Sequence, residues 1–156
     1  MDAARRLFQS NIMAAAAVII MNVIGSYVSA IGAGMVCPDW PLCPFPADYH
    51  VLIEFLHRVW ALVVVATITL SVLRARRVNA VKELRVAKIL VYTSLAVVMV
   101  QVGLGAIVIF TALLPELVAL HQLLAQIILS LQMAAAGISW AATTKHIEKE
   151  QITAKS

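Results

Sequence analysis

Val51-Leu-Ile-Glu54-Phe-Leu-His57-Arg58-Val-Trp60-Ala-Leu-Val-Val-Val-Ala-Thr-Ile-Thr-Leu-Ser-Val-Leu73 decides the fold. A helix needs about 20 mainly apolar residues to cross a bilayer, and this run supplies them. Its ionisable groups, Glu54, His57 and Arg58, gather near its start. Three further stretches have the same character. Ile12 to Val36 and Ile89 to Leu114 contain no Asp, Glu, Lys or Arg, and Leu117 to Thr144 holds His121 as its one ionisable residue. A barrel strand would instead alternate over about 10 residues. The spacing predicts helices over 11–32, 50–73, 87–111 and 117–142, joined by an outer loop at 33–50 and a cytoplasmic loop at 74–86 and followed by a cytoplasmic tail at 143–156. The expected fold is an all-α integral membrane protein, one four-transmembrane-helix bundle over 1–156 built from two similar helical hairpins.

Composition agrees with that reading. Of 156 residues, 62% are hydrophobic and 13% charged, with a mean hydropathy of +0.93. Soluble domains carry about 25% charged residues, so a water-soluble globule, a disordered chain and a disulfide-rich secreted scaffold are all excluded. The first apolar run exceeds the 7–15 residues of a signal-peptide core. It also carries Asn22, Ser26, Tyr27 and Ser29, which suit packing against protein, so it reads as a retained span. The net charge of +4 does not indicate nucleic acid, because the basic residues lie between the apolar runs. Arg5 and Arg6 precede the first helix. Arg74, Arg76, Arg77, Lys82, Arg85 and Lys88 lie around the second connection, and Lys145, Lys149 and Lys155 follow the fourth helix. Eleven of the twelve basic residues thus fall on one side, which the positive-inside rule makes cytoplasmic. Both termini are expected there, in a multi-pass protein of the cell membrane.

The outer loop contains Cys37-Pro-Asp-Trp-Pro-Leu-Cys43 and four of the five prolines. Proline disfavours helix and stiffens the connection. Both cysteines face the oxidising side, where disulfides persist. Five intervening residues permit a small ring if the Cα atoms approach within about 7 Å. Two readings stand: a structural disulfide that pins the loop to the membrane surface, or a redox pair that exchanges electrons with a partner thiol. There is no C-x-x-C pattern, and two sulfurs fall short of a metal site.

Ionisable side chains inside a membrane are costly and mark function. Glu54 and His57 are three residues apart and share a helical face, while Glu54 and Arg58 are four apart and can pair. His57 and His121 open two helices that run in the same direction, so both lie one or two turns below the outer surface. Two imidazoles at matched depth suit the opposite faces of a haem, and bundles build cofactor sites from facing helices. The plainer alternative is that each His hydrogen-bonds a neighbouring helix. Arg58 either snorkels to the interface or meets a haem propionate. His50 in the loop and His146 in the tail read as solvated. A weak repeat relates Gly25-Ser-Tyr-Val28 to Gly105-Ala-Ile-Val108, each ahead of a helix that opens with a His. Gly25, Gly32, Gly103 and Gly105 permit close helix contact or room for a flat cofactor.

Taken together, these residues resemble the heme A synthase family. The likeness rests on Cys37-Pro-Asp-Trp-Pro-Leu-Cys43 after Gly32-Ala-Gly34, on Glu54-Phe-Leu-His57-Arg58, and on His121 in the fourth helix. It is dense over 25–60 and looser beyond. The resemblance implies an oxidoreductase that converts heme O to heme A, oxidising a porphyrin methyl to a formyl group with oxygen from water or activated dioxygen. It implies His57 and His121 as axial ligands of the haem iron, beside which Arg58, in its propionate reading, is the further cofactor-binding residue. Glu54 becomes the catalytic group near the reacting methyl, and Cys37–Cys43 a disulfide that helps pass electrons outward. Heme O would be the substrate and haem b a second candidate group, with heme O synthase and an electron acceptor as partners. Members of the family typically have eight spans in two similar halves. This chain matches the half with the Glu and the cysteines, so a homo-oligomer, dimer or trimer, is expected, or one site serving both haems in turn. Two other functions fit parts of the pattern. A bis-His membrane cytochrome would use the histidines but not Glu54 or the cysteines. A quinone-linked thiol oxidoreductase would use the cysteines and need no iron.

Overall fold

The computed structural model describes residues 2–37, 39–41, 43, 48–78 and 82–153. Four helices make up almost all of it: α1 (Asp2–Ala30), α2 (Tyr49–Ala75), α3 (Arg85–Phe110) and α4 (Pro115–Thr153). No strand occurs among the described residues. Each helix is long and apolar enough to cross a membrane, so the protein is an all-α, multi-pass membrane bundle. Two helices outrun the expected bounds. α1 starts at Asp2 rather than near 11, and α4 continues to Thr153 rather than stopping near 142. Apolarity marks where a bilayer ends, not where a helix must. Ala3-Ala-Arg-Arg-Leu7 and the Lys- and Glu-containing stretch after Thr144 contain good helix formers and neither Gly nor Pro.

The helices pack in a ring. α1 lies extensively against α2 and α4, α3 against α4, and α2 meets α3 more thinly. In chain order the helices form two hairpins, α1–α2 and α3–α4. Toward the end that carries the 37–48 connection, Ala14, Ala17, Val18, Val64, Ile68 and Ile128 form one apolar cluster. Toward the basic end, Leu7, Val72, Ala75, Leu84, Val91 and Ala135 form another. Between them in sequence, every helix contributes fully buried polar residues: Ser10 and Asn11 from α1, Ser71 from α2, Ser94 from α3 and Gln132 from α4. Gln132 Nε2 donates to Ser94 Oγ at 2.9 Å. Lipid tails are as apolar as Leu, so close packing of small residues and interhelical hydrogen bonds hold such bundles together. The buried alanines serve the first need. The second is met by Trp60 Nε1, which donates to Ala17 O at 2.9 Å, and Arg74 Nη1, which donates to Arg6 O at 2.7 Å. Among the large side chains left exposed are Val23, Leu62, Val100 and Phe110, the outward apolar face that lipid requires.

The two connections at the site end differ. α1 stops where Gly32 adopts φ 70°, a left-handed conformation open to glycine, and a 3₁₀ turn follows at Ala33–Met35. α2 begins at a cap in which the Asp48 carboxylate accepts from His50 N at 2.7 Å and Val51 N at 3.4 Å. α3 and α4 are joined by a tight turn in which Ala112 and Leu113 hold φ of 51° and 62°. Such residues cost about 1–3 kcal/mol each. Leu113 N donates back to Val108 O at 2.9 Å. A Cβ placed on Gly34 would lie 3.2 Å from Leu113 Cδ1, so the second turn braces the first loop.

Candidate functional site

The Asp48 cap fixes the phase of α2, and two turns later that phase buries Glu54, which is 4% exposed. A carboxylate there needs a partner, and it has one. Arg58 Nε donates to Glu54 Oε1 at 2.9 Å. The same guanidinium reaches the preceding loop. Its Nη2 donates to Cys37 O at 2.6 Å, and its Nη1 to Asp39 O at 2.5 Å, with a longer contact to Pro41 O at 3.5 Å. Cys37 and Cys43 form a disulfide with Cα atoms 5.1 Å apart, and Cys37 is fully buried. Glu54, Arg58 and the cysteine loop are thus one connected unit.

The two imidazoles sit on glycines. A Cβ added to Gly25 of α1 would lie 3.0 Å from His57 Cε1, and one added to Gly105 of α3 would lie 3.3 Å from His121 Cε1. Each His of a hairpin's second helix therefore uses the space that a glycine leaves on the first. The space at Gly25 and Gly105 is bordered by an imidazole, whereas a Cβ at Gly32 or Gly103 would meet nothing within 4 Å. His57 Nδ1 and His121 Nδ1 are buried without a hydrogen-bond partner in the structure, so neither imidazole is spent on a neighbouring helix through that atom.

This donor set suits one kind of iron. Among the described residues no group of three or more His, Cys, Asp or Glu side chains could hold a bare metal ion. A porphyrin brings four equatorial nitrogens and asks the protein only for axial donors, commonly His. His57 and His121, one from each hairpin, fit that demand. A groove of about 580 Å³ lies between α1 and α4, lined by Asn22, Ser26, Tyr27, Ala30, Gln126 and Leu129 among others.

Two features at this level were not read from the sequence. Gln101 Nε2 donates to His121 O at 2.8 Å, tying α3 to α4 beside the second imidazole. Its signal was available: it is the only amide side chain in Ile89 to Leu114. Tyr27 and Tyr49 share a hydrogen bond of 2.7 Å between their hydroxyls, joining α1 to the start of α2. His50 is exposed, 3.6 Å from Asp48, and does not join the site. Pro38 and Leu42 of the cysteine motif, Lys155 and the side chain of His146 lie outside the described residues.

Comparison with known proteins gives a relationship over part of the chain. The chain is 31% identical to the heme A synthase of Geobacillus kaustophilus over 101 residues, 60% of this chain and 30% of that protein. It is also 31% identical to the heme A synthase of Geobacillus thermodenitrificans over 96 residues, 57% of this chain and 29% of that protein. The match thus spans less than a third of the relatives' own length. No protein-family model and no solved structure matches.

Proposed function

From its relationship to the heme A synthases, we propose that this chain is an oxidoreductase that converts heme O to heme A. The observation that carries the reading is the pair of glycine-seated imidazoles, His57 and His121, beside the buried Glu54–Arg58 pair. The two histidines would hold the haem iron from opposite sides, and the bound substrate supplies that iron and the methyl group to be oxidised. Gly25 and Gly105 orient the rings. Whatever the source of the oxygen, protons leave the methyl carbon as it becomes a formyl group. Glu54 is the carboxylate that accepts them in this reading, a general-base role usually worth about 10²–10⁴-fold in rate. Arg58 keeps that carboxylate aimed, and the surrounding apolar helices exclude water. We place the cysteine loop on the outer side of the cell membrane and both termini in the cytoplasm, since eleven of the twelve basic residues flank the other end. A homo-oligomer, a supply of substrate from heme O synthase and an external electron acceptor complete the proposal, with haem b as a second group the site could hold.

The test is mass spectrometry of haems extracted from cells that co-express the chain with a source of heme O. The formyl product is expected. A bound pigment that stays heme O throughout would instead identify a bis-His electron carrier. A protein with no Soret band that oxidises thiols with quinone would point to the cysteines alone.

A further inference from the structure

We infer that Arg58 is a positioning residue that ties Glu54 to the closed form of the 37–43 ring, so that the redox state of Cys37 and Cys43 governs how firmly the Glu54 carboxylate is held. The guanidinium is a planar fork whose donors point in fixed directions. One edge holds Glu54 Oε1 at 2.9 Å, while the other reaches the carbonyls of Cys37, Asp39 and Pro41. All three carbonyls belong to residues inside the loop that the disulfide closes. The Arg58 and Glu54 side chains are only 12% and 5% exposed, so water competes little for the bonds to Glu54 and to Cys37 O, and hydrogen bonds to a charged donor are the stronger kind.

Closing the ring gathers three carbonyls about one cation. Opening it lets the backbone spread and the carbonyls turn outward, and the guanidinium loses the contacts that fix its plane. Coupling of this kind is reciprocal. If the ring positions Arg58, then Arg58 favours the ring. The arrangement gives the buried carboxylate a connection to the outer loop through a single side chain. The second hairpin has no counterpart, because Gln122 follows His121 where Arg58 follows His57.

The coupling is measured as a thiol–disulfide equilibrium on the purified full chain, free of haem. Two glutathione thiols reduce the Cys37–Cys43 bond. The protein S–S bond breaks, one glutathione disulfide forms, and two electrons and two protons pass to the cysteine sulfurs. Alkylation and mass measurement count the free thiols. Arg58→Met is expected to move the equilibrium about tenfold toward the dithiol, equivalent to about 30 mV. Arg58→Lys keeps the charge without the fork and should recover part of that shift. Glu54→Gln leaves the carbonyl contacts in place and should move it less than Arg58→Met. An equilibrium unchanged in Arg58→Met overturns the inference. Should that variant not fold, the unaltered chain decides. Phenylglyoxal should label Arg58 several-fold faster after reduction than before, and equal rates overturn the inference as well. The catalytic meaning of the coupling rests on the heme O oxidation proposed above, but the equilibrium does not. A chain that makes no heme A yet shows the shift keeps the coupling and loses the enzyme reading, while an active enzyme without the shift does the reverse.

Discussion

The two hairpins solve one problem alike and another differently. Both seat a His of the second helix on a glycine of the first, His57 on Gly25 and His121 on Gly105. Three residues before the His, the first hairpin has Glu54 and the second Val118; one residue after it, Arg58 stands against Gln122. The first hairpin is closed by a long, disulfide-bearing loop that Arg58 holds, the second by a tight turn through Ala112 and Leu113. On the function proposed above, gripping is duplicated, while acid–base chemistry and the tie to the cysteine loop are confined to one side. A planar group needs donors on both faces, but its reacting edge needs a carboxylate at one place only. That division is what a substrate with one reactive methyl would ask of the bundle.

The largest effect should come from the shared feature. His57→Ala and His121→Ala are each expected to abolish stable haem binding, read as loss of the Soret band in the purified chain. If either variant kept a full, six-coordinate haem spectrum, the equivalence of the two hairpins would break, and so would the assignment of that His. The next effect should come from the unshared feature. Glu54→Gln keeps size and hydrogen-bonding capacity but removes the base. It should lower heme A formation about 10²–10⁴-fold while the haem content stays near that of the parent chain. Retained synthesis would take Glu54 out of the mechanism and leave the first hairpin no more chemical than the second.

How much of this was legible depends on the kind of signal. Four uncharged or nearly uncharged runs announce four spans because lipid tolerates little else. The pairing of Glu54 with Arg58 follows from helical spacing. The extra helix at Asp2 and beyond 142 was hidden because hydropathy falls silent where charge begins, although propensity does not. The second edge of Arg58 was hidden for a different reason. Its acceptors are backbone carbonyls, which every residue carries, so only the path of the loop reveals that Cys37, Asp39 and Pro41 converge there. The polar layer of Asn11, Ser71, Ser94 and Gln132 is visible only once the four helices are set in register. Gly25 and Gly105 were noticed as a repeat, but their contact with the imidazoles needed coordinates.

The smallest effect expected is also the one that tests the equivalence of the hairpins most finely. Gly25→Ala places a Cβ 3.0 Å from His57 Cε1, and Gly105→Ala places one 3.3 Å from His121 Cε1. Both separations are tight, so each ring must yield by a few tenths of an ångström, and the first must yield more. Overpacking of this sort costs about 1–3 kcal/mol, and 1.4 kcal/mol is a factor of ten in affinity. Gly25→Ala should therefore weaken haem binding by about tenfold, and Gly105→Ala by less. Helix propensity acts in the opposite direction, since Ala is better than Gly inside a helix by roughly 1 kcal/mol. The crowding also acts on the haem-free chain and is partly offset there, so its thermal stability should fall by less than the haem affinity. Haem titration beside a melting curve separates the two terms. A parallel fall in both would mean that the glycines serve helix packing alone, and a larger loss at Gly105 than at Gly25 would reverse the order that the distances set.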